Sequence, residues 1–302
     1  MSLLTVGTVA FDAIETPYDK VDRVVGGSAT YITLAASNFY KKNNIVSVVG
    51  DDFPKEMIEE FHKREIDTAG LQVKEGEKSF FWSGKYHDNM IGRDTLVTDL
   101  NVLASFDPIL PESYRDAKYV MLGNVDPNLQ MKVIDQLAGK PDMIMLDTMN
   151  FWMDIAMDSV KEVLKKIDVL TINDEEARQL SGEHSLVKAA AAIFKMGPAY
   201  LIIKKGEHGA LLFGENQIFS CPALPLAEVF DPTGAGDTFA GGIMGHIAAS
   251  GDKSFKNMRK AVLTGSVMAS FCVEKFGPNR LLEISKTDID QRMEEFHALM
   301  AV

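Results

Sequence analysis

The chain has 302 residues, 46% of them hydrophobic and 25% charged, with 43 acidic against 31 basic side chains and a formal net charge of −12. This is the composition of an ordinary globular protein, neither disordered nor fibrous, and long enough for one large α/β unit with a small appendage. The acidic balance argues against a general nucleic-acid or anionic-membrane surface, while a local basic pocket for phosphates stays allowed.

The N-terminus enters directly on Leu3-Leu4-Thr5-Val6-Gly7. With no basic segment before it, this run reads as a first strand rather than a signal peptide, and a cytoplasmic location is expected. Cys221 and Cys272 lie far apart and make no ligand or redox motif, which fits a reducing compartment. The apolar stretches after Gly241 and Ala261 are broken by His246, Ser250 and Ser266, so neither reaches the ~20 residues that span a bilayer.

After the first strand, residues 11–16 read as extended, and the pair Gly26-Gly27 precedes a helical pattern over 29–41. Apolar strands predicted at 45–49, 119–122, 143–146, 169–172 and 201–204 alternate with helices at 53–64, 129–137, 159–166 and 186–196. Such alternation predicts a largely parallel sheet covered by helices on both faces. Residues 78–86 and 94–100 break the rhythm and read as strands joined through a polar turn. The pattern alone allows a hairpin on the main sheet's edge or a small β lid shared with 11–16. From Thr238 onward the signal is helical, through 255–271 and 287–301.

The most informative stretch is Asp231-Pro232-Thr233-Gly234-Ala235-Gly236-Asp237-Thr238-Phe239-Ala240-Gly241-Gly242. It opens a helix with residues that carry almost no side chain, so a ligand can approach the N–H groups left unpaired at a helix start. Phosphate is the natural guest, and the helix dipole adds to the attraction. A carboxylate there repels the guest, so Asp237 makes sense if it handles the proton of an attacking hydroxyl. Taken alone, it reads equally well as a first-turn acid on the helix dipole. Other chemistries lack support: the chain has no Gly-x-x-x-x-Gly-Lys-Ser/Thr, no Gly-x-Ser-x-Gly, and no His-x-x-x-His pair among its six histidines.

The pattern Asp-x-Thr-Gly-Ala-Gly-Asp-x-Phe-x-x-Gly resembles the C-terminal signature of the PfkB carbohydrate kinases, the ribokinase-like sugar and nucleoside kinases. Other landmarks follow in the same order: Gly26-Gly27, Gly50-Asp51-Asp52-Phe53, Asn173-x-x-Glu176 and Lys205-Gly206-Glu207-His208-Gly209. The resemblance covers essentially the whole chain. It implies a ribokinase-like three-layer α/β/α domain over 1–302, with a mostly parallel sheet and lid segments at 11–16 and 78–100. It implies transfer of the γ-phosphate of ATP, with Mg2+, to a primary hydroxyl of a sugar or ribonucleoside. Asp237 is then the base, and Gly234, Ala235 and Gly236 form the anion hole. The alternatives are a nucleoside kinase of the adenosine type specifically, or a catalytically weak ligand-binding protein that kept the fold.

The resemblance also assigns further positions. Asn173 and Glu176 share one face if a helix starts there, which also describes an Asn cap with a capping-box acid; the family uses such a pair to organise magnesium and phosphate, commonly through water. Gly206 and Gly209, with Lys205, are expected along the nucleotide, although their turn needs no ligand. Gly277 is expected near the adenine, although it would equally end a helix. For the acceptor, Asp12 would accept from vicinal hydroxyls while the backbone of Gly26 and Gly27 donates. Tyr31 stands where the family often has Asn. With Phe11, Trp82 and Tyr86 it offers aromatic surface for a nucleobase, which tilts the reading slightly toward a nucleoside. Asn124, Asp147 and Asn150 are further polar candidates at strand ends. Asp231 and Thr233 match a region that binds a monovalent cation such as K+ in several family members. A homodimer through the lid is compatible with the sequence; nucleic-acid and membrane partners are not expected.

Overall fold

The computed structural model describes residues 2–90 and 92–301. In chain order the strands are β1 (Leu3–Val6), β2 (Ala10–Glu15), β3 (Lys20–Gly26), β4 (Asn43–Gly50), β5 (Ile66–Lys74), β6 (Phe80–Tyr86), β7 (Arg93–Asp99), β8 (Tyr119–Leu122), β9 (Met143–Asp147), β10 (Val169–Asn173), β11 (Tyr200–Lys204), β12 (Ala210–Gly214) and β13 (Gln217–Cys221). The helices are α1 (Ser28–Ala36), α2 (Lys55–Lys63), α3 (Pro127–Asp135), α4 (Asn150–Ile155), α5 (Met157–Leu164), α6 (Asp174–Ser181), α7 (Leu186–Phe194), α8 (Ala235–Ser250), α9 (Phe255–Cys272), α10 (Asn279–Glu283) and α11 (Lys286–Met300). Among the described residues no helix is long and apolar enough to cross a membrane.

The main sheet runs β13-β12-β11-β10-β9-β8-β1-β4-β5. Every pair from β11 to β5 is parallel, and β12 and β13 join antiparallel. Buried on both faces, β1, β4, β8 and β9 have no exposed residue at all, which is why they read as continuous apolar runs instead of alternating ones. One face packs on α1, α8 and α9 around Ile32, Ile243 and Phe271. The other packs on α3, α5, α6 and α7 around Val133, Val163, Ala177 and Ile193. The helices α1, α8 and α9 approach closely through small residues: a Cβ on Gly241 would lie 2.3 Å from the Ile32 carbonyl, and one on Gly242 3.0 Å from Gly265 Cα.

A second sheet, ordered β3-β2-β6-β7, stands apart from the first. Its central pair β2–β6 is parallel and its outer pairs are antiparallel. The edge-hairpin alternative for residues 78–100 is therefore not what forms, because β6 pairs with β2 and β7; within that span, Ile91 lies outside the described residues. The strand β3 was not anticipated, since Lys20, Asp22 and Arg23 give it no apolar stripe. The chain enters this sheet from the C-terminal end of β1 and returns from it to α1, which puts it at the edge where parallel α/β sheets take their ligands.

Candidate active site

Gly234 caps α8 in the left-handed region at φ 76°, and Asp237 sits in the first turn. The Ala235 N–H donates to the Pro232 carbonyl and the Thr238 N–H to the Gly234 carbonyl. Among the described residues, the N–H groups of Gly236 and Asp237 reach no backbone acceptor, so the helix start presents open donors as its sequence predicts. A Cβ on Gly234 would sit 2.4 Å from the Tyr31 ring. Gly234→Val is accordingly expected to lower the melting temperature as well as turnover, because it adds a clash to a left-handed backbone that costs β-branched residues ~1–3 kcal/mol. Thermal unfolding beside a rate assay checks this: an unshifted melting temperature would contradict it.

Three adjacent strand ends bring charge to that helix start. Asp147 closes β9, Asn173 closes β10 and Lys204 closes β11, with Asn173 and Lys204 paired in register. The Lys204 ammonium donates to both Asp147 carboxylate oxygens at 3.0 Å. A Cβ on Gly236 would lie 3.0 Å from Lys204 Nζ, so this ammonium stands beside the open amides. Burial works against its charge, but Asp147 and then Glu176 outweigh that and hold its pKa above the usual lysine range. The lysine singled out from sequence was its neighbour Lys205; among the described residues the Lys205 side chain makes no ion pair or hydrogen bond. Lys204 is the last residue of β11, and Lys205 already belongs to the turn that follows it.

The Asn173–Glu176 pair forms the capping box that the local sequence allowed: Asn173 Oδ1 accepts from the Glu176 N–H at 2.8 Å, and Glu176 Oε2 from the Asn173 N–H at 2.7 Å. The cap also aims Glu176 at the cluster. Burial pushes its carboxyl up to about 7, with Lys204 opposing and Asp147 adding to the rise. Asp237 is likewise pushed up to about 7, by burial first and by Asp147 second, against the pull of Lys204 and Arg93. Arg93, on exposed β7, carried no sequence signal.

Asp12 lies on β2, opposite Val24 of β3, and is 4% exposed. A Cβ on Gly26 would fall 1.9 Å from its Oδ2, so only glycine leaves room for the carboxylate. The Gly27 N–H donates to Asp12, and Ser28 and Ala29 donate to Thr8. The expectation that Gly26 and Gly27 both offer amides to a ligand is narrowed: Gly26 makes space for the carboxylate, and the Gly27 N–H is turned to Asp12. Burial pushes the Asp12 carboxyl up to about 8, with Asp231 and Asp237 contributing.

Tyr31 is corrected too. It is 1% exposed, under Gly234, with no hydrogen-bond partner for its buried hydroxyl, and so presents no face for stacking. Phe11 is covered by Arg23 at 3.8 Å from its ring centroid, and Tyr86 is buried with its hydroxyl 3.0 Å from Thr233 Oγ1. Of the four aromatics, Trp82 alone keeps partial exposure. The Asn124 amide, in the loop after β8, is held by Met149 and by Trp152 of α4.

The remaining positions form the frame. Asp231 is fully buried and accepts from the Thr233 N–H at 2.8 Å and the Gly277 N–H at 3.0 Å, so Gly277 pins the loop ahead of α8. Gly206 is exposed and Gly209 buried, flanking a short turn between β11 and β12. Among the described residues no three His, Cys, Asp or Glu side chains converge to hold a metal ion. The carboxylates facing the helix start suit a hard cation that keeps water and phosphate oxygens in its shell.

Comparison with known proteins finds the same fold. A candidate ribokinase II of E. coli, solved with ATP and Mg2+, superposes with a TM-score of 0.80 at 19% identity, over 97% of this chain and 99% of that one. The nucleoside kinase of Methanocaldococcus jannaschii gives a TM-score of 0.76 at 19% identity, over 98% and 99%. The cytidine kinase of Thermococcus kodakarensis is 26% identical over 283 residues, 92% of this chain and 98% of its own length. Fold and likeness together define a phosphotransferase. The chain belongs to the pfkB family of carbohydrate kinases, whose family model matches residues 2–284.

Proposed function

We propose that this kinase transfers the γ-phosphate of ATP to the primary hydroxyl of a ribonucleoside. The observation that carries the reaction is Asp237, a recessed carboxylate in the first turn of a helix whose Gly236 N–H is open. A phosphoryl group held by fixed amides needs no reorganisation as its charge shifts. Asp237 accepts the hydroxyl proton late, as the loose transition state of phosphoryl transfer demands. Asp12, deep at the root of the second sheet, receives the acceptor's hydroxyls, and that sheet covers them. Glu176 is the residue that would hold Mg2+ through water, and the bound cation would neutralise phosphate charge. The ribonucleoside is supported by the likeness to a cytidine kinase over nearly its full length.

The acceptor is tested by measuring ADP release with ATP against a panel of ribonucleosides, pentoses, hexoses and inositol. A ribonucleoside is expected to give the highest kcat/KM; a sugar in first place would move the acceptor class, and no acceptor-dependent release at all would leave a binding protein. Monovalent-cation activation through the Asp231–Thr233 loop belongs to the same proposal, and equal rates in potassium and tetramethylammonium salts would reject it. A homodimer is supported by β7, where Leu96 and Val97 are exposed, and its check is the mass in solution.

A further inference from the structure

We propose that Lys204 is a further catalytic residue of this kinase: its ammonium, held by Asp147, contacts an oxygen of the transferring phosphoryl group beside the Gly236 amide. The inference rests on the kinase reading above. It starts from a charge that the fold has no structural need to bury. A buried ion pair is weak grounds for stability, since apolar residues of like volume commonly do as well. Here the pair stands at the C-terminal end of the sheet, with Lys204 side-chain exposure of 19% and Asp147 of 7%.

An ammonium has three donors. Asp147 accepts from it through both oxygens at 3.0 Å, and among the described residues no other acceptor is bonded to it. The nearest atom to the space above Gly236 is Nζ itself, 3.0 Å from the position a Cβ would take. The remaining donor capacity therefore lies next to the helix start that receives phosphate. That place is short of positive charge: Asp147, Glu176 and Asp237 all act on one another there, and Lys204 and the exposed Arg93 are the cations that act on them. An incoming polyanion meets three carboxylates, and Lys204 is the counter-charge fixed at the reacting group. In the transfer, the bond between the γ-phosphorus and the β-bridging oxygen breaks while the acceptor oxygen bonds to phosphorus. The acceptor proton goes to Asp237, ADP departs, and Lys204 stays protonated throughout. Asp147 is a positioning residue that keeps Nζ beside Gly236.

The test uses the full chain with Lys204→Met, Lys204→Arg and Asp147→Asn, and the best acceptor from the panel. Lys204→Met is expected to lower kcat by about 10²–10³, the loss seen when one fixed donor to a developing oxyanion is removed, with KM for the acceptor within about threefold. Lys204→Arg recovers part of the loss, and Asp147→Asn falls between. The second readout is calorimetric binding of ATP and ADP in an Asp237→Asn background, where nothing turns over quickly: Lys204→Met should cut the preference for ATP over ADP at least about tenfold. Should the methionine variant fail to fold, Lys204→Gln is read in the same two assays. Turnover within about fivefold of the unmodified protein, or a turnover loss with an unchanged ATP-to-ADP preference, overturns the proposal. The kinase reading fails by a different sign, the absence of acceptor-dependent ADP release in the unmodified protein.

Discussion

Asp237→Asn is expected to lower kcat by about 10²–10⁴, the range that general-base catalysis supplies, while the protein folds and binds ATP as before. The amide keeps the volume of the carboxylate and the first turn of α8 but cannot take a proton. The same residue sets a pH limb. Because burial and Asp147 push Asp237 up to about 7, the anionic base is lost as pH falls through neutrality, and kcat should drop about tenfold per unit below that point. Glu176 also titrates near 7 and shares the limb, so the apparent value belongs to the cluster. The variant should lose the Asp237 part of this limb and keep at most the part that Glu176 carries, at its lower rate. A kcat profile flat from pH 5 to 8 in the unmodified protein would remove Asp237 from its role.

The second large effect is a trade of activity for stability at Asp12. Asp12→Asn is expected to raise KM for the acceptor by at least about tenfold, since the amide puts an NH2 donor where the carboxyl offers an oxygen to the vicinal hydroxyls. It should also melt higher at alkaline pH. The Asp12 carboxyl moves from 3.8 to about 8 on folding. The folded state therefore keeps a proton that the unfolded chain has released, and native stability falls as pH rises from about 4 toward 8. An asparagine does not ionise and escapes that fall, while still accepting from the Gly27 N–H. The difference in melting temperature should be near zero at pH 4 and reach several degrees at pH 8. A difference that shrinks with rising pH, or an unchanged acceptor KM, would contradict the account.

The parallel sheet was legible because strands buried on both faces must be apolar throughout, and β8 begins and ends where its run of Tyr119 to Leu122 does. The helix start at Gly234 was legible because small residues followed by an acid have few other uses. The rest depends on three dimensions. Lys204 is one residue from Lys205, and the point where β11 ends decides which of them meets Asp147. The polar strand β3 gains its place by pairing with β2, a long-range contact that leaves no local pattern. Tyr31 read as an aromatic surface because burial cannot be seen in composition; α1 carries it beneath Gly234. The Asp237 titration is hidden from sequence for the same reason, since its shift comes first from burial and then from Asp147 on a distant strand end.

The most direct test is a crystal structure of the Asp237→Asn protein with ATP, Mg2+ and its best acceptor, which the slowed transfer should preserve. The γ-phosphate is predicted within about 3 Å of the Gly236 N–H, with the side chain at position 237 within about 3 Å of the acceptor's primary hydroxyl. A triphosphate bound away from the start of α8, with that side chain turned to solvent, would contradict the mechanism.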